Sequence, residues 1–207
     1  MALKTIVKVS NITNLSDARY CAGMGVDMLG FFVEEDSEHY VSPQTYAEII
    51  GWLSGVEFVA EFTKANLQEI NRILANYPVH AIQTENEEVL AQLLANKQNY
   101  EIETLPIKIL FRAKNINTLQ EIAPRYNSVV TLFVLALDAY EMQIIKPLAE
   151  KHTILLENVD SLAEIEKLLN DTNVKGFVLQ GGKEIAPGLK DFDNLAEILE
   201  GLEINEQ

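Results

Sequence analysis

The chain has 207 residues and carries 16 Lys and Arg against 31 Asp and Glu, a formal net charge of −15. With 48% apolar and 23% charged residues it has the balance of a globular protein, and a core forms at this length without a disulfide or a structural metal. Charge of this sign repels polyanions, so neither nucleic acid nor a membrane is an expected partner, although a small anion held at a local site stays open.

The stretch from Met1 to Lys8 has no extended apolar run and no cleavage pattern, and no segment approaches the roughly 18 apolar residues of a membrane span. The expected location is the cytoplasm. From there the pattern alternates between strand and helix. A strand at 4–10 leads to a helix at 15–24, which holds the lone cysteine, Cys21, read as a small buried apolar residue. A strand at 26–33 leads to a helix at 43–53, opened by Ser42 with Pro43 in the first turn. Strands at 56–62 and 79–83 lead to helices at 66–76 and 86–98, with Ile70, Ile73 and Leu74 and then Val89, Leu90, Leu93 and Leu94 at helical spacing. Strands at 106–111 and 128–136 lead to helices at 115–124 and 139–150. A strand at 152–156 leads to a helix at 160–170, capped by Asp160 or Ser161 with Glu164 in capping-box position. The last strand, 174–179, leads to a helix at 191–201, and residues 203–207 read as a frayed polar tail.

Several of these strands are continuous apolar runs, Met28 to Val33 and Val129 to Leu135 most clearly. Such runs suit a parallel sheet buried on both faces. Eight strand–helix pairs in a chain of this length predict an α/β protein of the (β/α)8 TIM-barrel class, one domain over 1–207. A doubly wound open sheet is the alternative, because periodicity does not report closure.

In such a barrel the chemistry sits at the C-terminal ends of the strands. The first of these ends reads Lys8-Val9-Ser10-Asn11-Ile12-Thr13-Asn14, then Asp17-Ala18. The second is followed by Ser37-Glu38-His39-Tyr40-Val41-Ser42-Pro43, and the eighth reads Gln180-Gly181-Gly182-Lys183-Glu184 with Pro187-Gly188-Leu189-Lys190-Asp191 beyond it. In order, spacing and strand context these segments resemble the phosphoribosylanthranilate isomerase family. There the corresponding segments read Lys-Ile-Cys-Gly-Ile-Thr-Asn with a later Asp-Ala, Ser-x-Arg-Tyr-Ile/Val-Ser-Pro, and Ser-Ser-Gly-Val-Glu with Pro-Gly-Lys-Lys-Asp. The resemblance runs from about residue 4 to residue 200. It implies a (β/α)8 barrel that carries out an Amadori rearrangement in tryptophan biosynthesis, turning an aminoaldose phosphate into an aminoketose phosphate. An acid opens the sugar ring and a base removes the C2 proton, so no metal and no organic cofactor is implied.

The departures from the family pattern fall where that chemistry is carried. The family's base cysteine is Ser10 here, its following glycine is Asn11, and the arginine that meets the substrate's carboxylate is His39. The fourth strand, Val-Gln-Leu-His-Gly in the family, reads Ile82-Gln83-Thr84-Glu85-Asn86, which retains Gln83 as a substrate contact. The acid of the sixth strand is assigned to Asp138, a residue or two beyond its family place. The Ser-Gly-Gly of the seventh strand is replaced around Glu157 and Asn158. Gly181 and Gly182 remain as a phosphate-binding turn, with the helix start near Asp191 beside it.

A serine hydroxyl ionises far less readily than a thiol and needs an adjacent base. The three histidines do not place one: His80 and His152 read as strand-entry residues at the opposite end, and His39 lies in the second loop. By these boundaries twelve acids, Glu61, Glu85 and Glu157 among them, surround the mouth against Lys64, Arg112, Lys114 and Lys183, a balance that disfavours a dianionic substrate. The expected partner is a small phosphorylated sugar-amine if the chain is active, and a homodimer is compatible with the sequence. A paralogue that has lost the isomerase activity and serves in ligand binding or interaction is the second reading. A barrel enzyme that uses the mouth carboxylates on a cationic or neutral substrate is the third.

Overall fold

The computed structural model describes residues 2–98, 107–136, 142–181, 183–186, 189–191 and 193–204. Eight parallel strands close into a barrel: β1 (Ile6–Ser10), β2 (Met28–Phe32), β3 (Glu57–Phe62), β4 (Ala81–Thr84), β5 (Lys108–Ala113), β6 (Leu132–Ala136), β7 (Ile154–Glu157) and β8 (Gly176–Gln180). Closure is made by β1 against β8, from Ile6 opposite Gly176 to Ser10 opposite Gln180, which excludes the open doubly wound sheet. The helices are α1 (Leu15–Gly23), α2 (Pro43–Ile50), α3 (Leu67–Leu74), α4 (Glu87–Gln98), α5 (Ile116–Tyr126), α6 (Met142–Ala149), α7 (Leu162–Asp171) and α8 (Asp193–Leu202). Each strand and helix lies within a few residues of its expected place.

Local chemistry sets the helix starts. The Asn14 side chain accepts from Asp17 N–H at 2.9 Å, and Ser42 accepts from Thr45 N–H at 3.2 Å with Pro43 in the first turn. Asn66 and Glu69 form a reciprocal capping box at 3.0 and 2.9 Å. For α7, of the two residues that could cap it, Ser161 does so, accepting from Glu164 N–H at 3.3 Å.

The alternation along each strand divides the interior into two cores. One face packs against the helices in a large cluster that includes Cys21, as expected. The other fills the barrel with Met28, Val59, Ala81, Leu110, Leu132, Val134, Leu155 and Val178. Lys8 interrupts this layer, in register with Met28 and Val178, and one pleat nearer the C-terminal ends of the strands Ser10, Glu61, Gln83 and Glu157 are buried.

Two expectations at the C-terminal end of the chain are corrected. Asp191 does not open a helix; it ends β10 (Leu189–Asp191), which pairs antiparallel with β9 (Lys183–Ala186) as a hairpin, and α8 begins at Asp193. The tail is tied down at its start, because Glu203 bridges Leu3 and Ile204 N–H donates to the Ala2 carbonyl at 2.9 Å. Those pairings lie some two hundred residues away in sequence and leave no local signal.

Candidate active site

Ser10 is the last residue of β1 and is buried. Its hydroxyl donates to Glu61 Oε1 at 2.7 Å and accepts from Lys8 Nζ at 2.6 Å. Lys8 also ion-pairs with the same carboxylate oxygen, and both members of the pair are fully buried. Lys8 and Ser10 share one face of β1 and Glu61 reaches them from β3, so the triad crosses the barrel over β2. Gly30 on β2 makes the crossing feasible. A Cβ there would lie 2.7 Å from the Glu61 carboxyl carbon and 3.1 Å from Lys8 Nζ. The ionisable groups beside the Ser10 hydroxyl are therefore a carboxylate and an ammonium, and no histidine. The signal was present in the sequence: Lys8 between Val7 and Val9, and Glu61 between Ala60 and Phe62, are ionic residues inside otherwise apolar strands. Such a side chain faces the lumen and must find a partner there.

A second cluster sits across the mouth. Arg112 on β5 donates through Nε to Glu157 Oε2 on β7 at 2.8 Å and through Nη1 to Glu85 Oε1 at 2.8 Å, and a second guanidinium nitrogen also meets Glu157. Lys114 reaches the other Glu85 oxygen at 3.5 Å. The bond to Glu157 holds the guanidinium further above its ordinary value, against a burial that works the other way, so this fork stays charged. Part of the expected excess of mouth acids is thereby held in ion pairs or hydrogen bonds. Glu61, Glu85 and Glu157 are matched by Lys8, Arg112 and Lys114. Glu34 accepts the backbone N–H groups of Thr63, Lys64 and Ala65, and Asp36 pairs with Lys64 at 2.7 Å.

The other expected site residues scatter. Gln83 on β4 stands in register with Glu61 and is buried beside it. His39 is exposed on the loop after β2, with its ring centroid 6.3 Å from that of Phe32. Gly181 N–H donates to the Ser10 carbonyl at 2.9 Å, so this donor is already engaged. A Cβ on Gly181 would lie 3.1 Å from the Asn11 carbonyl oxygen, and glycine is retained there for close approach to β1. Asp138 and Gly182 lie outside the described residues. His80 precedes β4 and accepts from Phe58 N–H through Nδ1 at 3.0 Å, while His152 precedes β7, with Nδ1 2.9 Å from Asn127 Oδ1. Both stand at the strand entries, as expected.

A cavity of about 300 Å3 opens between the ends of β7 and β8 and α8. Its polar lining is Asn158, Asp160, Gln180 and Asn194, and among the described residues no cation lines it. Among the described residues, too, no group of three His, Cys, Asp or Glu side chains gathers that could hold a metal.

No family model matches the chain. Curated relatives do. The N-(5'-phosphoribosyl)anthranilate isomerase of Gloeothece citriformis is 30% identical over 212 residues, covering 95% of this chain and 93% of that protein. The chain belongs to the phosphoribosylanthranilate isomerase family. The family's enzyme from Rippkaea orientalis is 26% identical over 215 residues, with 95% of each chain covered. Among solved structures, the phosphoribosylanthranilate isomerase of Thermotoga maritima superposes with a TM-score of 0.75 at 21% identity, covering 96% of this chain and 98% of that one. That of Thermus thermophilus gives 0.74 at 20% identity over 95% and 98%. At these identities the structures support the fold.

Two of the departures keep a backbone that suits glycine. The family's glycine after the first strand is Asn11 here, and Asn11 holds φ at 59°. Asn158, in the turn where the family has glycines after the seventh strand, holds 61°. Asparagine is among the side chains that best tolerate this left-handed region, so both turns adopt it without glycine.

Proposed function

We propose that the chain is an isomerase of the phosphoribosylanthranilate type, acting on an aminoaldose phosphate in tryptophan biosynthesis. The observation that carries this reading is the Ser10 hydroxyl donating to Glu61 at 2.7 Å, at the position of the family's base. The Glu61 carboxylate takes the hydroxyl proton as Ser10 removes the proton from C2 of the ring-opened imine, which gives a weak hydroxyl base the adjacent acceptor it needs. Asp138 is the acid in this reading, Gln83 and His39 contact the substrate, and Gly182 carries the phosphate turn with Gly181 as its anchor. A related structure holds reduced 1-(o-carboxyphenylamino)-1-deoxyribulose 5-phosphate, and another is described as monomers generated from the dimeric enzyme of Thermotoga maritima. A phosphorylated sugar-amine substrate, a homodimer and a cytoplasmic location follow for this chain on the same reading.

A second reading, a family member that has lost the reaction and binds a ligand or a partner, is favoured by two observations. The Gly181 N–H is engaged with Ser10, and the cavity at the ends of β7 and β8 has amides and a carboxylate where an anion would want cations. Loss of substrate fluorescence on adding purified protein to phosphoribosylanthranilate separates the two. Turnover at about 1 s−1 or faster is expected of the isomerase. Absence of turnover, together with no gain from Ser10→Cys combined with His39→Arg, leaves the second reading standing alone.

A further inference from the structure

The loop between β2 and α2 carries His39, and one side chain fixes its start to the neighbouring loop. Glu34 lies two residues beyond β2 and is buried. Its Oε2 accepts from Thr63 N–H at 2.6 Å and from Thr63 Oγ1 at 2.7 Å. Its Oε1 accepts from Lys64 N–H at 3.1 Å and from Ala65 N–H at 2.8 Å. All four donors belong to the segment between the end of β3 and Asn66, the N-cap of α3. Successive N–H groups of this kind form an anion nest, and an ionised carboxylate, with two oxygens and no donor, suits such a set. Beside this clamp a cleft of about 770 Å3 opens between the loop and α3, with Asp36 and Tyr40 on one side and Glu69 and Arg72 on the other.

The rest of the loop is built on Glu34. Its carbonyl accepts from Ser37 N–H at 3.0 Å, the Ser37 carbonyl accepts from Tyr40 N–H at 3.1 Å, and Ser37 Oγ accepts from His39 N–H at 3.3 Å. At the far end Val41 N–H returns to the Phe32 carbonyl at 2.9 Å, and the Tyr77 hydroxyl donates to the Val41 carbonyl at 2.8 Å. On the other side of the clamp, Thr63 follows Glu61 by two residues, and Glu61 holds the Ser10 hydroxyl. We infer that Glu34 is a positioning residue: seated on the nest at 63–65, it fixes the loop that carries His39 against the strand that carries Glu61, and so sets the ligand-contacting end of the site relative to Ser10. Its role rests on the proposed reading only in that His39 meets the ligand. The Asp36–Lys64 pair, at 2.7 Å, spans the same two loops but stands in water and contributes little. Glutamine at position 34 keeps the shape and turns an amide NH2 toward backbone N–H donors, so the clamp requires the carboxylate.

Hydrogen exchange of the intact chain, followed by mass spectrometry over residues 35–41, tests the clamp. Glu34→Gln is expected to accelerate exchange there by about tenfold, while β1 and β6 exchange as in the parent. Thr63→Val removes one donor of the set and is expected to accelerate it by about threefold, and Lys64→Ala is expected to leave it unchanged. Equal acceleration throughout the barrel in Glu34→Gln would reduce Glu34 to a stabilising residue and overturn the positioning role. So would unchanged exchange at 35–41, or an effect of Lys64→Ala as large as that of Glu34→Gln. Should Glu34→Gln fail to fold, Thr63→Val decides, and unchanged exchange at 35–41 in that variant overturns the clamp. With phosphoribosylanthranilate as substrate, Glu34→Gln is expected to raise KM by about tenfold with kcat nearly unchanged, the pattern of binding lost away from the reacting atoms. An unchanged KM, or a loss confined to kcat, counts against the positioning role. The two readings fail separately. A parent that does not turn the substrate over removes the isomerase reading and leaves the clamp to the exchange result, whereas turnover with unchanged exchange at 35–41 removes the clamp alone.

Discussion

Lys8 and Glu61 are both withdrawn from water, and their mutual attraction has to offset the desolvation of each. Removing one partner of such a pair costs about 3–5 kcal/mol, because the other is left charged and unpaired, whereas replacing both with apolar residues of similar size is often neutral or better. In urea denaturation, Glu61→Leu is therefore expected to lose about 3–5 kcal/mol and the Lys8→Met/Glu61→Leu double variant to stay within about 1 kcal/mol of the parent. A double variant as unstable as the single would show that the pair itself, and not the stranded charge, supplies the stability. Part of this was legible in the sequence, since an ionic residue between two apolar ones in a buried strand announces a lumen partner. Which partner was not legible, because Lys8 and Glu61 are 53 residues apart and meet only across the closed sheet.

Strands and helices were readable because their signals are local. Apolar runs, 3.6-residue spacing and caps such as Ser161 lie within one element, and Ser161 accepts from Glu164 N–H as their spacing implies. The β9–β10 hairpin was not readable. Its residues pair with one another only because the chain after β8 turns back on itself, and a family-like motif there suggested a helix start at Asp191 instead. Barrel closure is an element-scale property with a specific weak point. A Cβ on Gly176 would overlap the carbonyl oxygen of Ile6 on β1 and lie 2.7 Å from its carbonyl carbon. Backbone at a parallel strand pair has little room to retreat. Gly176→Ala is expected to lower stability by about 3 kcal/mol or more, or to leave the chain insoluble. Gly23→Ala, where a Cβ meets nothing within 4 Å, is expected to change stability by no more than about 1 kcal/mol in either direction. Equal effects of the two in thermal melts would mean that the β1–β8 contact is not a tight constraint.

At the scale of the whole molecule the net charge of −15 is the dominant electrostatic fact. Ion pairs offset Glu61, Glu85, Glu157 and Asp36 at the mouth, and self-repulsion among the acids left over opposes compaction. Sodium chloride screens that repulsion more than it weakens the buried pairs. The melting temperature is accordingly expected to rise by several degrees between about 10 mM and about 0.5 M salt. A fall over that range would place the important charge interactions among attractive surface pairs. Composition, element order, barrel class and family were all present in the linear chain, because each depends on residue type and near-neighbour spacing. The chemistry of the mouth was not. Ser10 with Glu61, Arg112 with Glu157 45 residues away, and Gly181 against Ser10 are brought together by sheet closure and strand register. Those are set by packing of the entire barrel, and no window of sequence contains them.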